Sequence, residues 1–252
     1  MASPNHYNGR FGWKADVIGC HQSGTSTVTP ALQWYMNPAS QVCPNWMIDT
    51  NGDIYELVHP DNAAFANGTR TKPGDKLYYG YATSNLVRQR KTNANYFTYS
   101  IEFVHCAYGN INNVQIGAAV ELIKEIIVPH MIKNGVTPKI DREHIIGHSE
   151  IAPLARPNGS CPGRQFPFQQ IINCVNGVEK VPSDKTAAFC VGDKVVIKTT
   201  ATTYAGAASN VKIPAVYKDG KKKYTIDKVS GEMSRLKELW SWVWNKDLEK
   251  KK

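Results

Sequence analysis

The sequence predicts a mixed α/β domain followed by a small all-β domain. Strand-like and helix-like segments alternate up to residue 175, and short strand-like segments separated by glycine-rich turns follow residue 188. The short polar segment between them, VNGVEKVPSDKTA, contains glycine and proline and has the composition of a linker. We therefore predict a first domain over 1–175, a linker over 176–187 and a second domain over 188–252. A chain of 252 residues has room for both.

Four segments of the first domain carry clear patterns. Residues 16–20 form a short apolar run typical of a buried strand. Residues 46–48 and 53–57 flank an Asn-Gly turn, which favours a hairpin. Residues 114–134 place apolar side chains at helical spacing, and Pro129 inside this pattern predicts a kink or a split.

The fourth segment, residues 97–106, alternates between two kinds of side chain. One predicted face holds Phe97, Tyr99, Ile101 and Phe103, and the other holds Thr98, Ser100, Glu102 and Val104. The face of Glu102 suits open solvent or the floor of a cleft.

In the second domain, strands are predicted over residues 194–199, 212–217, 223–229 and 239–243. Short strands at this spacing favour a small all-β barrel of about 60 residues.

The amino-acid composition limits the classes of protein to which this chain can belong. Hydrophobic residues make up 42% of the chain and charged residues 20%, which excludes a wholly disordered chain. No apolar run is long enough to span a membrane, and the first 16 residues lack the apolar core of a signal peptide. We therefore expect no membrane insertion, and export, if it happens, must use another route.

The net charge of +9 is concentrated near the C-terminus, where residues 176–252 hold 16 Lys+Arg against 9 Asp+Glu. This excess indicates an anionic partner. No helix-turn-helix, zinc-finger or RNA-recognition signature accompanies it, so the charge alone is weak support for a nucleic-acid binder.

Six cysteines permit 15 disulfide pairings, but their scattered spacing in a chain of this length favours free buried thiols. They are Cys20, Cys43, Cys106, Cys161, Cys174 and Cys190.

Four residues of the first domain suit a catalytic metal site. His21, His148 and Cys161 offer two imidazoles and a thiolate, a ligand set that leaves the fourth tetrahedral position of zinc to water. Glu102 offers a carboxylate to take a proton from that water. His144 and His148, four residues apart, form a rival zinc pair on one predicted helical face.

Six blocks in order resemble the zinc-dependent N-acetylmuramoyl-L-alanine amidase family, whose fold is shared with T7-type lysozyme and the peptidoglycan recognition proteins. They lie within residues 16–172 and are HQSGT, TPALQWYMNPASQVCPNWMIDTNGDIYELV, AAFANG, YSIEFV, GHSEIAP and SCPG. The resemblance implies zinc ligands at His21, His148 and Cys161 and a catalytic carboxylate at Glu102.

Two positions depart from the family pattern. Gly159 stands where many relatives have a lysine thought to steady the oxyanion, and Arg156 is the candidate replacement. The catalytic tyrosine of T7-type relatives falls near Pro44 and Asn45. These departures leave open a recognition protein that binds peptidoglycan without cutting it, although such relatives typically lose the cysteine ligand.

Residues 188–248 resemble the bacterial SH3-like modules of phage endolysins and autolysins. Their aromatic residues line a wall-binding groove or belong to the core: Tyr204, Tyr217, Tyr224, Trp240, Trp242 and Trp244. Together the two resemblances imply an endolysin of a Gram-positive host that binds peptidoglycan and reaches it through a phage-type membrane pore. A host autolysin is the near alternative.

Overall fold

The computed structural model describes residues 2–104, 110–181, 189, 191–206, 209–230 and 233–251. The chain divides into two compact units, Met1–Ala187 and Ala188–Lys252.

The first unit is built on a mixed five-stranded sheet in the order β4-β3-β6-β2-β7, with a separate β1–β5 pair. Strands β3, β6, β2 and β7 are parallel, and β4 is antiparallel to β3. The strands are β1 His6–Tyr7, β2 Val17–Gln22, β3 Trp46–Ile48, β4 Ile54–Glu56, β5 Ala63–Ala64, β6 Thr98–Phe103 and β7 Ile145–Gly147. The predicted mixed α/β class is confirmed.

Six α-helices accompany this sheet in the described part of the unit. They are α1 Val28–Met36, α2 Asn85–Arg90, α3 Asn113–Leu122, α4 Val128–Lys133, α5 His148–Ile151 and α6 Phe168–Val175. The predicted helix over 114–134 consists of α3 and α4 joined by a π-helical segment, Ile123–Ile127. Pro129 lies in the first turn of α4. The wider π turn accommodates a proline ring that would clash with the preceding turn of a regular α-helix.

Strand β6 is buried on both faces. Tyr99, Ile101 and Phe103 pack into the main core together with α3 and α6. Glu102 is therefore not the solvent-facing residue that one interpretation of the alternation allowed: its exposed fraction is 6%. Phe97 lies before the strand and packs into a different cluster, because its backbone is not extended. His105 and Cys106, at the end of the predicted strand, lie outside the described residues.

The second unit is a five-stranded antiparallel sheet in the order β11-β10-β9-β8-β12. Its strands are β8 Lys194–Ile197, β9 Tyr224–Ser230, β10 Met233–Leu236, β11 Ser241–Trp244 and β12 Leu248–Lys250. Residues 212–217 were predicted to be a strand, which is wrong: Pro214 is followed by a 3₁₀ turn, Ala215–Tyr217. Strands β10 and β12 were not predicted.

The predicted linker begins where α6 ends. Residues 176–181 fold back on the first unit: the Val178 amide donates to the Asn173 carbonyl at 2.9 Å, and the Cys174 thiol donates to the Lys180 carbonyl at 3.6 Å. Residues 182–187 lie outside the described part of the chain.

The four cysteines that the structure describes are free and buried; Cys106 and Cys190 lie outside it. Among the described residues, every helix is too short or too polar to cross a membrane.

Candidate functional site

Three of the predicted site residues lie at the carboxyl ends of neighbouring parallel strands. His21 of β2 pairs in register with Glu102 of β6. His148 is the first residue of α5 and directly follows β7, the other neighbour of β2. Because the parallel strands end at one edge of the sheet, residues far apart in sequence meet there.

Cys161 reaches the same edge from the loop after α5. Two hydrogen bonds hold that loop: the Cys161 carbonyl accepts from the Ser149 amide at 2.9 Å, and the Ser160 carbonyl accepts from Gln22 Nε2 at 2.8 Å. The loop is thus fastened both to α5 and to the end of β2.

His21, His148 and Cys161 form a compact group of metal-ligand atoms. Their donor atoms all lie within 4.8 Å of one another, and all three residues are buried. Cys161 Sγ is 3.8 Å from His21 Nδ1, and the two imidazole centroids are 4.6 Å apart. Tetrahedral zinc with ordinary bond lengths separates a sulfur and a nitrogen ligand by about 3.5 Å. The site therefore fits zinc in both donor type and spacing.

Burial prepares the imidazoles for a metal. It lowers the pKa of His21 to about 4 and that of His148 well below its ordinary value, so both rings are neutral at pH 7. Burial also raises the pKa of the Cys161 thiol to about 12, so the metal-free site holds a proton that zinc would displace.

Asn67 orients His21 and was missed in the sequence. His21 Nε2 is 2.7 Å from Asn67 Oδ1, which leaves Nδ1 to face Cys161. Asn67 Nδ2 donates to Thr98 Oγ1 at 2.9 Å. A Cβ atom on Gly19 would lie 2.6 Å from the Asn67 amide, so the glycine makes room for it. A glycine inside a strand indicates such a close approach, and Gly19 was the one signal in the sequence that pointed to this contact.

Tyr35 of α1 contacts the carboxylate and was also missed. Its hydroxyl donates a hydrogen bond to Glu102, and both side chains are buried. The Tyr35 carbonyl accepts from Ser3 Oγ at 2.6 Å and from Asn5 Nδ2 at 3.0 Å, which fixes the end of α1. Burial raises the pKa of Glu102 to about 8, whereas the Tyr35 hydrogen bond lowers it.

Residues 12–164 match the model of a protein family that is described as N-acetylmuramoyl-L-alanine amidase. That match covers more than half of the chain. The chain belongs to this amidase family. No curated protein sequence matches it.

Several solved structures are similar to this family member. A selenomethionine derivative of AmpD is 14% identical, covers 69% of this chain and 92% of its own, and has a TM-score of 0.45. The match to PlyL has 15% sequence identity, covers 67% of this chain and 86% of PlyL, and has a TM-score of 0.44. The match to the endolysin amidase LysCS from Clostridium intestinale URNW has 16% sequence identity, covers 69% of this chain and 87% of LysCS, and has a TM-score of 0.39.

The two departures from the family pattern have structural counterparts. Gly159 has a φ of 68°, a left-handed conformation that disfavours a lysine there. Arg156 is exposed, and its charge lowers the pKa values of Glu102 and Cys161, among other site residues. Asn45, near the place of the family tyrosine, instead binds the Ser100 amide and hydroxyl with its side-chain oxygen.

His144 does not take part in this group. Residues 145–147 form strand β7 rather than a helix, so His144 and His148 share no helical face. His144 Nδ1 instead lies 2.7 Å from Asp141 Oδ1. The rival zinc pair considered from spacing is wrong.

Asn67→Ala is expected to weaken zinc binding about 10- to 100-fold, because the partner that orients His21 is removed. Competition with a chromophoric chelator measures the affinity. Asn176→Ala is the control, since Asn176 binds the Ile140 carbonyl instead of a site residue. Equal zinc affinity in Asn67→Ala and the parent chain would show that Asn67 does not orient His21 for zinc binding.

Tyr35→Phe is expected to lower kcat about tenfold and to leave KM and zinc content unchanged, because only one hydrogen bond to Glu102 is lost. Steady-state hydrolysis of soluble muropeptides separates the two constants. A change confined to KM would place Tyr35 in substrate binding instead.

Glu102→Gln is expected to stabilise the metal-free chain at alkaline pH. Because burial raises the Glu102 pKa from about 4.5 to about 8, its contribution to stability is full below pH 4.5 and is lost as the pH rises to 8. The mutant's advantage in unfolding free energy should thus grow between pH 5 and pH 8 and level off on the order of 5 kcal/mol. Urea unfolding in excess chelator measures it; a constant difference across this range would contradict the raised pKa.

Proposed function

We propose that the first unit is a zinc-dependent peptidoglycan hydrolase that cleaves the amide between the lactyl group of N-acetylmuramic acid and L-alanine of the stem peptide. The observation that carries this proposal is the buried group of His21, His148 and Cys161 beside Glu102, at the end of the parallel strands of an amidase-family chain.

His21 Nδ1, a nitrogen of His148 and the Cys161 thiolate are the proposed ligands. Bound zinc would polarise the scissile carbonyl and lower the pKa of water, which is the chemistry such a site supplies. Asn67 keeps the His21 ring in the orientation that directs Nδ1 toward Cys161.

Glu102 is the proposed general base and acid. It would accept a proton from the attacking water and return it to the amine of L-alanine as that group leaves. A pKa of about 8 in the metal-free site lies close to neutral pH, where one carboxylate accepts and donates a proton with similar ease. Tyr35 holds the carboxylate by its hydrogen bond. Arg156 supplies positive charge that would favour the developing oxyanion.

The second unit is proposed to be an SH3-like module that binds the cell wall. Its five-stranded antiparallel sheet, its basic composition and the exposed Trp240 support this assignment. Joined to the hydrolase, such a module raises the local concentration of enzyme at its substrate. The whole chain is then an endolysin of a Gram-positive host, of phage or prophage origin, that reaches the wall through a phage-type membrane pore.

New end groups in digested cell wall test the proposed reaction. Purified peptidoglycan incubated with the chain should gain free L-alanine amino termini and no new reducing sugars. New reducing ends would indicate a glycosidase. No new end group of either kind would indicate a recognition protein that binds without cutting.

A further inference from the structure

Three tryptophans lie on or beside the outer face of the second unit's sheet. In β11, Trp242 and Trp244 are partly exposed, whereas Val243 between them is fully buried in the core. Arg235 of β10 is the register partner of Trp242, so both side chains lie on the outer face. The Arg235 guanidinium carbon lies 4.1 Å from the centre of the Trp240 ring, which places Trp240 beside the same face.

Trp240 is neither packed in the hydrophobic core nor a residue type that its turn conformation favours. Its exposed fraction is 69%, and its φ is 52°, a left-handed conformation that glycine ordinarily occupies in hairpin turns. The turn before it is fastened to β9: the Glu238 carboxylate accepts from the Thr225 amide at 2.8 Å, and the Lys237 amide donates to the Thr225 carbonyl at 2.8 Å. The turn is therefore held in place beside Trp240, whose large aromatic ring is exposed to solvent.

Arg235 is also held in place. Its Nε and Nη2 donate to the two carboxylate oxygens of Asp227 at 2.9 and 2.8 Å, and Nη1 has no partner among the described residues. Lys228, the register partner of Arg235 on β9, is exposed on the same face. Aromatic rings therefore share this face with two cationic groups that have N–H donors to spare.

This surface, which we call the tryptophan face, comprises Lys228, Arg235, Trp240, Trp242 and Trp244. Flat indole rings suit the apolar faces of sugar rings, and the cations suit carboxylates spaced along a polymer. Residues 188–252 carry 14 Lys+Arg against 7 Asp+Glu, so the charge of the whole unit favours the same kind of ligand.

We propose that the tryptophan face binds peptidoglycan glycan strands whose lactyl carboxylates are free. This inference rests on the proposed function, because removal of the stem peptide by the first unit generates those carboxylates. The second unit would then hold the enzyme on strands that it has already stripped, near peptides that remain uncut.

Binding of the whole chain to soluble stripped glycan strands tests the proposal. The strands are prepared with an unrelated amidase, and calorimetry uses the Glu102→Gln background. Trp240→Ala should weaken binding about tenfold or more, the usual effect of losing a central aromatic anchor. Trp240→Phe should recover most of the affinity, and Val216→Ala, an exposed apolar control in the same unit, should change nothing. Thermal unfolding checks that each variant remains folded.

Two further ligands identify the chemistry that is recognised. Strands whose lactyl carboxylates have been converted to methylamides should bind more weakly, and Lys228→Ala should lose affinity only for the unmodified strands. Three results would overturn the proposal. The first is equal affinity of the parent chain for the unmodified and the methylamide strands, and the second is binding of the unmodified strands by Trp240→Ala as tight as by the parent chain. The third is binding of poly(glycerol phosphate) by the parent chain as tight as its binding of the unmodified strands. The end-group assay with native Glu102 is independent of these results, so failure of the proposed hydrolysis is distinguishable from failure of the tryptophan face.

Discussion

Glu102→Gln is expected to reduce the release of L-alanine amino termini by about 10²- to 10⁴-fold, the usual span for loss of a general acid–base group. Glutamine preserves the shape of the side chain and its contact with Tyr35 but accepts no proton from water. Zinc content, measured by atomic emission, should remain that of the parent chain, because Glu102 is not among the three grouped ligands.

Glu121→Gln on α3 is the matched control, since that carboxylate is exposed. It should retain full activity. Near-normal turnover in Glu102→Gln would reduce the carboxylate to a structural residue of β6 and would leave the proposed reaction without a base.

Cys161→Ala is expected to lose most of its zinc and all measurable hydrolysis. Removal of the thiolate leaves two neutral imidazoles, which bind zinc far more weakly than a site with three ligands, one of them anionic. Zinc content after dialysis against a weak chelator, together with release of amino termini, measures both losses.

Cys174→Ala provides the control, because Cys174 is another buried free thiol, located on α6. It should keep its zinc. Retention of zinc by Cys161→Ala, together with loss of zinc from His144→Ala, would show that the ligand set is wrong.

The elements that carry the site follow local patterns and were predictable. An apolar run predicted β2, an Asn-Gly turn predicted the β3–β4 hairpin, and alternation predicted β6 with Glu102 on the face opposite Tyr99. The pattern did not show that this second face is covered, because burial of a strand on both sides depends on distant segments such as α1. Tyr35 shows the same limit, since its contact with Glu102 joins a helix to a strand 67 positions later in the sequence.

In the second unit, sequence patterns found the all-β class but not every strand. Strand β10 reads MSRL and β12 reads LEK, and neither is long or apolar enough to indicate a strand alone. Both form because their neighbours in the sheet supply hydrogen-bond partners. Tyr204 and Tyr224 proved to be buried in the core, whereas Trp240 is exposed. Sequence alone did not separate these two roles, because both use large aromatic residues.

Titration of the metal-free chain with zinc tests the central claim most directly. Release of L-alanine amino termini should be absent without metal, rise in proportion to added zinc and reach its maximum at about one zinc per chain. Cys174→Ala should follow the same curve, and Cys161→Ala should stay at the baseline. Full hydrolysis by the metal-free chain, or a maximum unchanged by Cys161→Ala, would contradict the account.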